Sequence, residues 1–404
     1  MVYLAKGGFW LGFGQVISAL LSFASSLFFA NIISKDLYGN YKYIIATTSI
    51  LGSISLSGMG AVVIQGVAQG AEGTLKDAVS TSLRWGSLTA IAALSTSLYY
   101  FSHHNTALGV SMLIAGASLP LTNAFSLYGS YLSGKKNFKR STLYNTGSQI
   151  VTTAALIITA AATKSILAMV AVYFTLGTIS ILWAYRHVLS TYHLNDTRDH
   201  SLIPYSKHLS VMNLFSVVAN QLDKILVFHY LGAINLAVYS FSQAIPEQVK
   251  GVFKSLFGIA LPKYATLSEE NMRASIKSKA LLLTGLTVIV VFAYVLAAPF
   301  IFKLLFPKYL EAVLYSQIYM LGLITIPAIS LFGIYFQLKK ATEVLYKLTV
   351  IGNVATIILG FVLIYNFGLK GAVIENGASW AIMLFSNWYY FAKDTPAPQT
   401  LRPH

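Results

Sequence analysis

The stretch LFSVVANQLDKILVFHYLGAINLAVYSFSQAIPEQVKGVFK, residues 214–254, is mostly apolar yet contains both carboxylates and lysines. In a bilayer, each charge near the centre of a span costs about 2.5–3.5 kcal/mol. Four such charges facing lipid would cost on the order of 10 kcal/mol, comparable to the stability of a whole domain. The charges are therefore expected to face the protein interior or a watery cavity that the rest of the chain encloses.

The whole chain has the composition of a membrane protein with several spans. Of its 404 residues, 56% are hydrophobic and 10% are charged, whereas soluble domains carry about 25% charged residues. The net charge of +15 is spread over many loops and is not gathered into one basic domain, so nucleic acid is not an expected partner. Cysteine is absent, which excludes a disulfide framework and thiol chemistry.

Long apolar runs recur along the chain and predict twelve transmembrane helices. They are expected at Gly8–Ile33, Tyr41–Gln65, Arg84–Phe101, Leu108–Leu132, Thr142–Ala162, Ile166–Tyr185, Leu209–Leu231, Ile234–Leu261, Ala280–Phe302, Ala312–Leu338, Leu345–Tyr365 and Gly371–Phe391. The first run is too long for a signal-peptide core and no small-residue cleavage site follows it, so we expect a retained helix.

Lysine and arginine are unevenly distributed between the two sides of these spans. Most of the 28 lie on one side, which predicts that this side is cytoplasmic and that both termini lie there. The predicted outer side has only Lys35, Lys42, Lys164, Lys303, Lys308 and Lys370.

Weak internal repetition predicts two halves. An offset of 204 places Lys135-Lys136 over Lys339-Lys340, and prolines interrupt the fourth and tenth spans at similar places. Interrupted helices at matching positions of two halves are typical of a transporter's central site. We therefore predict an all-α membrane protein with twelve transmembrane helices in two six-helix halves around a central cavity. The expected boundaries are 1–187 for the N-terminal half, 188–207 for a cytoplasmic linker, 208–392 for the C-terminal half and 393–404 for a cytoplasmic tail.

One face of the predicted eighth span has polar residues at steps of three or four, as in a continuous helix: Tyr239, Gln243, Glu247, Lys250 and Lys254. Pro246 beside them removes a backbone hydrogen bond and can kink this helix. The face either lines a cavity or is a helix end whose lysines reach the membrane surface and pair with Glu247. Gln243 and Glu247 favour the cavity, and Lys254 favours the membrane surface.

The seventh span combines Asn220 with Asp223 and Lys224. Asp223 and Lys224 point about 100° apart on a helix, so they are not expected to be each other's best partner. Two interpretations stay open. Asp223 can be a carboxylate for a coupling ion beside a substrate-facing Lys224, or the two can form a structural pair that locks helices together.

The first half offers fewer candidates. Gln15 in the first span and Lys42 near the outer end of the second are the most notable polar groups. Small hydroxyl residues recur around them at helical spacing, a pattern more typical of close helix packing than of substrate binding.

Several signatures of other function classes are missing from the sequence. It has no Walker loop and no histidine pattern typical of a metal site. No predicted outer loop is large enough for the catalytic domain of a glycosyltransferase or polymerase. These features favour a secondary transporter over an enzyme, with no catalytic residues and no metal site.

Several short segments resemble one family of membrane transporters. The most similar is Asn220–Lys224, which is followed by Leu231-Gly232 and Val238–Ser240. The others are Phe29–Ser34 with Leu37–Tyr41, Gly58–Gly60 leading to Gln65 and Gly70, Gly134–Phe138, and Leu305–Tyr309. Through these segments and its layout, nearly the whole chain resembles the polysaccharide flippases of the multidrug/oligosaccharidyl-lipid/polysaccharide (MOP) exporter superfamily. It departs from them at loop positions, with Pro307 where glycine is usual and Lys35-Asp36 where proline is common.

The resemblance implies a flippase for an undecaprenyl-diphosphate-linked oligosaccharide, such as an O-antigen or capsule repeat unit. It implies alternating access in the bacterial inner membrane, driven by an ion gradient. No cofactor is implied beyond a coupling proton or sodium ion. The implied partners are the lipid-linked oligosaccharide, the bilayer, a polysaccharide polymerase and a chain-length regulator, and we expect a monomer.

The cargo's chemistry suggests a role for each candidate residue. A diphosphate carries about two negative charges and cannot cross hydrocarbon unaided, so Lys224 and Lys250 are expected to bind it. Asp223 and Glu247 are the candidate ion sites. Further substrate contacts are expected from Gln243, Asn220, Gln15, Lys42 and Tyr239.

Two other functions remain as alternatives. A multidrug or cation antiporter of the same superfamily would need a net acidic cavity, whereas lysines stand beside the carboxylates here. A membrane polymerase or ligase of polysaccharide assembly would need a sizeable outer loop, and none is predicted.

Overall fold

The computed structural model describes residues 2–199, 202–253, 264 and 266–394, and all regular secondary structure within these ranges is helical. The described helices are α1 Val2–Ile32, α2 Lys35–Ser53, α3 Met59–Ala68, α4 Thr74–Ser102, α5 Thr106–Phe125, α6 Leu127–Gly134, α7 Phe138–Thr163, α8 Ile166–Thr191, α9 Leu202–Ser242, α10 at 246–253, α11 Glu269–Leu305, α12 Ala312–Gly322, α13 Ile326–Leu338 and α14 Thr342–Lys393. Two 3-10 turns, Pro307–Tyr309 and Leu323–Thr325, precede α12 and α13.

Eight helical segments of the described chain are long and apolar enough to cross a membrane. Thr342–Lys393 contains two of the predicted spans, whereas Leu209–Ser242 contains the seventh predicted span and the first part of the eighth, which α10 continues. The second predicted span corresponds to α2 together with α3. The third predicted span lies within α4. The described helices therefore correspond to the twelve predicted spans, and the protein is a multi-pass, all-α membrane protein.

Two long helices are interrupted at a glycine. Gly232 in α9 has φ 84° and ψ 175°, and Gly368 in α14 has φ 58° and ψ −133°. A residue with a Cβ rarely adopts either conformation, so glycine is required at these breaks. Both breaks fall between spans that the sequence predicted as separate.

The predicted eighth span is not one continuous helix. Helix α9 ends at Ser242, residues 243–245 form a turn, and α10 begins at Pro246. Proline suits the first turn of a helix because its missing N–H has no partner there. The prediction of one continuous polar face is therefore wrong, since Tyr239 lies in α9 and Lys250 lies in α10. Lys254 is outside the described residues.

The chain packs into two compact units, Met1–Ser240 and Phe241–His404. The first unit includes α9 up to Ser240, the part that contains the predicted seventh span. The predicted boundaries of the two six-helix halves stay a prediction.

The two units contain the same local turn after a spanning helix. The amide of Lys135 donates to the carbonyl of Tyr131 at 2.9 Å, and the amide of Lys339 donates to that of Tyr335 at 3.0 Å. In each case the next lysine has a positive φ, 60° in the first unit and 53° in the second. The same backbone geometry therefore recurs at the predicted offset of 204.

Gly39 in α2 permits a very close contact with the backbone of α9. A Cβ at this position would lie 1.8 Å from the carbonyl oxygen of Ala233. We expect Gly39→Ala to lower the free energy of unfolding by about 3 kcal/mol, because a backbone atom cannot move aside as a flexible side chain can. Thermal unfolding in detergent measures this effect. Gly147 has open space around it, so Gly147→Ala is the control, and equal losses in both variants would contradict the close contact.

Candidate functional site

Asp223 is a buried carboxylate in α9, with 7% of its surface exposed. The hydroxyl of Tyr239 donates to Asp223 Oδ2 at 2.6 Å. These residues are 16 positions apart, which would separate them by about 24 Å along a straight helix. The break at Gly232 therefore folds α9 back, so that its two segments meet at this hydrogen bond.

Lys224 lies beside Asp223 but points to a different acceptor. Its Nζ donates to Gln221 Oε1 at 3.0 Å, whereas Asp223 Oδ1 is 3.9 Å away, near the limit of an ion pair. The expectation that Asp223 and Lys224 are not each other's best partner agrees with these distances. An ammonium group has three donors, so Lys224 retains capacity for an anionic ligand.

Glu247 and Lys250 form a second group, in α10. Lys250 Nζ donates to Glu247 Oε1 at 2.9 Å, and the hydroxyl of Tyr319 donates to the same oxygen. Lys250 Nζ also lies 4.9 Å from the centre of the Trp380 ring, within range of a cation–π contact. The two side chains are partly exposed, 35% for Lys250 and 42% for Glu247, so both remain accessible.

The other predicted residues have separate surroundings. Asn220 is exposed and donates to the carbonyl of Ser216 on its own helix, and Lys42 Nζ lies 5.3 Å from the ring of Tyr38 on its own helix. Gln15 is exposed on α1 and Gln243 is buried. Tyr239 is fully buried as well as bonded to Asp223. The substrate contacts of all these residues stay predictions.

Glu72 is a buried carboxylate that the sequence patterns did not indicate. It accepts hydrogen bonds from the hydroxyl of Tyr131 at 3.0 Å and from Lys135 Nζ. Its amide donates to Asn195 Oδ1 at 3.0 Å, so the segment before α4 is tied both to α6 and to the predicted linker.

The second unit has a matching cluster around Asp394. The hydroxyl of Tyr335 and Nζ of Lys339 donate to Asp394 Oδ2 at 2.9 and 2.7 Å, and Lys339 Nζ also donates to Glu269 Oε1 at 2.6 Å. The backbone carbonyl of Asp394 accepts from Arg273. A Tyr-x-x-x-Lys spacing occurs at both clusters, 204 positions apart, and was the signal that could have indicated them.

The contacts of Asp394 favour the charged form of its carboxyl group. Desolvation favours its protonated form, but the hydrogen bonds from Lys339 and Tyr335 outweigh this and hold the pKa of Asp394 below its usual range. Desolvation also opposes the charge of Lys339, but hydrogen bonds to Asp394 and Glu269 raise the pKa of Lys339 above its usual value. Both groups are therefore charged at neutral pH.

We expect this cluster to stabilise the protein above about pH 4, and the stabilisation to be lost as pH falls through the lowered pKa of Asp394. Lys339 stays charged over this range because its pKa is raised. The effect should be at most about 1 kcal/mol, because the groups are partly exposed. Thermal unfolding at several pH values should show a steeper loss in acid for the natural protein than for Asp394→Asn. Parallel curves for the two proteins would refute the assignment.

The sequence matches the profile of one family, described as polysaccharide biosynthesis protein, over residues 4–264. The chain belongs to the polysaccharide biosynthesis protein family. A comparison with curated proteins found no match.

Solved structures with the same fold include several transporters. A lipid II flippase MurJ in an inward closed conformation aligns with a TM-score of 0.76 and 13% identity, covering 95% of this chain and 87% of that one. An inward-facing multidrug resistance MATE family transporter of the MOP superfamily aligns with a TM-score of 0.70 and 14% identity, covering 95% and 96%. A MOP superfamily transporter from Pyrococcus furiosus aligns with a TM-score of 0.59 and 13% identity, covering 97% and 96%.

At such low identity, these likenesses show the fold alone. They confirm the predicted fold class, an all-α membrane protein built like the MOP exporters. Together with the family match, they support a lipid-linked flippase or a transporter of the MOP superfamily. Fold does not distinguish between these two functions, so the choice depends on the charged groups of α9 and α10.

Proposed function

We propose that this member of the polysaccharide biosynthesis family is a flippase for an undecaprenyl-diphosphate-linked oligosaccharide. The cargo would be an O-antigen, capsule or exopolysaccharide repeat unit that moves from the inner to the outer leaflet of the bacterial inner membrane. The observation that carries the proposal is the presence of lysines beside both carboxylates, Lys224 near Asp223 and Lys250 near Glu247. The family match and the MurJ-like fold support it.

In this proposal the two lysines bind the diphosphate. Lys224 donates a hydrogen bond to a neutral amide. Lys250 donates to Glu247, which also accepts a hydrogen bond from Tyr319. Within the described residues neither ammonium group is enclosed by several carboxylates, so each can donate a hydrogen bond to a phosphate oxygen. Sugar hydroxyl groups would contact the polar residues Gln243, Asn220, Gln15, Lys42 and Tyr239.

Asp223 and Glu247 are the proposed sites of a coupling proton or sodium ion. An intramembrane carboxylate is costly, and it is kept where it has a function or a partner. Asp223 is buried and bonded to a tyrosine hydroxyl, which is compatible with both a charged and a protonated carboxyl group. Cation exchange at these groups would drive alternating access.

The proposal includes the arrangement of the protein in the cell. Both termini would be cytoplasmic, as the distribution of lysine and arginine indicates. The protein would act as a monomer, and a polysaccharide polymerase and a chain-length regulator would use the sugar that it delivers.

The second candidate is a multidrug or cation antiporter, because MATE transporters share this fold. One solved MOP transporter is described as having a binding pocket of reversed polarity that suggests a different function. Pocket charge can therefore distinguish members of this fold, and the two lysines favour an anionic cargo here.

A transport assay with purified protein in vesicles would test the proposed function. The cargo is a fluorescent polyprenyl-diphosphate oligosaccharide placed in one leaflet, and a cationic dye is the competing substrate. We expect an ion gradient to accelerate movement of the lipid-linked sugar and to leave the dye unaffected. Gradient-driven transport of the dye without movement of the sugar lipid would establish the antiporter instead.

A further inference from the structure

A groove with a volume of about 830 Å³ lies on the second unit, between α11, α13 and the last part of α14. Its α11 side is one helical face, with lining residues at steps of three or four from Ala274 through Lys277 and Leu281 to Thr284. Its α14 side is a similar face that includes Phe385 and further lining residues at the same spacing.

The groove exists because small side chains meet where three helices pack. Ala280 and Ala328 are buried at its base, where larger residues would fill the space between the helices. The rim is apolar and exposed, with 79% of Leu281, 65% of Phe385 and 54% of Trp388 accessible. Such a rim is compatible with hydrocarbon chains and would be costly in water.

One end of the groove is charged. Lys277 lines it, is exposed and has no ion pair within the described ranges. Two other basic groups are occupied, Arg273 by the backbone of Asp394 and Lys339 by the side chains of Asp394 and Glu269. Lys277 therefore provides one available positive charge at the groove's end.

The position of Trp388 marks the depth of this end in the bilayer. Tryptophan is enriched where membrane meets water, and Trp388 lines the groove near the end of α14. Lys277 lies two turns after the start of α11, and its side chain is long enough to reach the level of the lipid headgroups. The apolar rim would then face the hydrocarbon, with the ammonium group at the phosphates.

We propose that this groove binds one monoanionic membrane phospholipid of the phosphatidylglycerol class. Its acyl chain lies along the rim formed by Leu281 and Phe385, and its phosphate contacts Lys277. The groove lining contains one lysine, which matches one negative charge better than the two charges of a polyprenyl diphosphate. The site does not depend on the proposed cargo, because its lining residues belong to α11, α13 and α14 and not to the groups around Asp223 and Glu247.

Native mass spectrometry of the full-length protein in detergent would test the headgroup contact. The protein is incubated with an equal mixture of phosphatidylglycerol and phosphatidylcholine, and the retained lipid is identified. We expect one phosphatidylglycerol in preference to phosphatidylcholine, and about a fivefold loss of this preference in Lys277→Gln. Lys279→Gln is the matched control, because Lys279 is exposed on the same helix but does not line the groove. Equal effects of the two substitutions, or equal retention of the two lipids, would overturn the proposal.

A second pair of variants tests the chain-binding part of the groove. Ala381 lines the groove and is exposed, so Ala381→Trp should fill it without disturbing the core. We expect this variant to lose the retained phospholipid, while Ile382→Trp at the adjacent exposed position keeps it. Full retention by Ala381→Trp, or displacement of phosphatidylglycerol by a polyprenyl diphosphate, would refute the assignment.

Discussion

Replacing Lys224 and Lys250 together by alanine should reduce delivery of the lipid-linked sugar to the outer leaflet at least about 100-fold. Each charge-assisted hydrogen bond to the diphosphate contributes about 1.5–3 kcal/mol, or roughly 10- to 100-fold in binding. Each single substitution should therefore have a strong effect as well. Surface polysaccharide in cells and flipping in vesicles both measure the outcome.

The stability of these variants separates transport from folding. Lys250 and Glu247 are partly exposed, so loss of their pair should cost at most about 1 kcal/mol of stability. Lys347→Ala is a suitable control, because Lys347 is exposed and forms a local ion pair with Glu343, four positions earlier on the same helix. A folded double variant with normal surface polysaccharide would end the assignment of these lysines to the cargo.

Asp223→Asn should remove the dependence of transport on the ion gradient while the protein still folds. Asparagine has nearly the same shape and can still accept the hydrogen bond from Tyr239, but it cannot take up a proton or balance a cation. We expect gradient-stimulated transport in vesicles to fall to the rate seen without a gradient, and the pH response to disappear.

Glu375 provides a matched control for this experiment. It is also a carboxylate in a predicted span, 2% exposed, and it accepts a hydrogen bond from Ser379 at 3.0 Å. Glu375→Gln should leave the gradient dependence in place. If Asp223→Asn keeps the full gradient and pH response, then Asp223 has the structural role that was the alternative interpretation.

Local helix geometry made part of the candidate site predictable. Neighbouring positions on a helix diverge by about 100°, so Lys224 was expected to turn away from Asp223. The structure places its ammonium group on Gln221, three positions earlier on the same helix. Similarly, Lys250 and Glu247 are three positions apart and form a pair. Contacts of this kind depend only on spacing within one helix.

The partners from distant parts of the chain were not predictable in this way. Glu247 accepts a hydrogen bond from Tyr319 of α12, and Lys250 makes a cation–π contact with Trp380 of α14. Both partners are more than 70 residues away in sequence. Hydropathy gave no signal for either contact, because an aromatic residue in a spanning helix is equally compatible with lipid. The Glu72 and Asp394 clusters were missed for a related reason, since their lysines were interpreted only as cytoplasmic loop charges.

The sequence by itself determined the class of this protein. Its apolar runs are long enough to cross a bilayer, so spanning helices follow from their length and composition. The motifs around Asn220–Lys224 indicated the family. Only the tertiary structure decided how the charged stretch 214–254 is divided. Gly232 folds α9 back so that Tyr239 reaches Asp223, and Pro246 begins a new helix that carries Glu247 and Lys250. A helical period cannot predict such breaks, because the direction of the chain after each of them depends on what the following helix packs against.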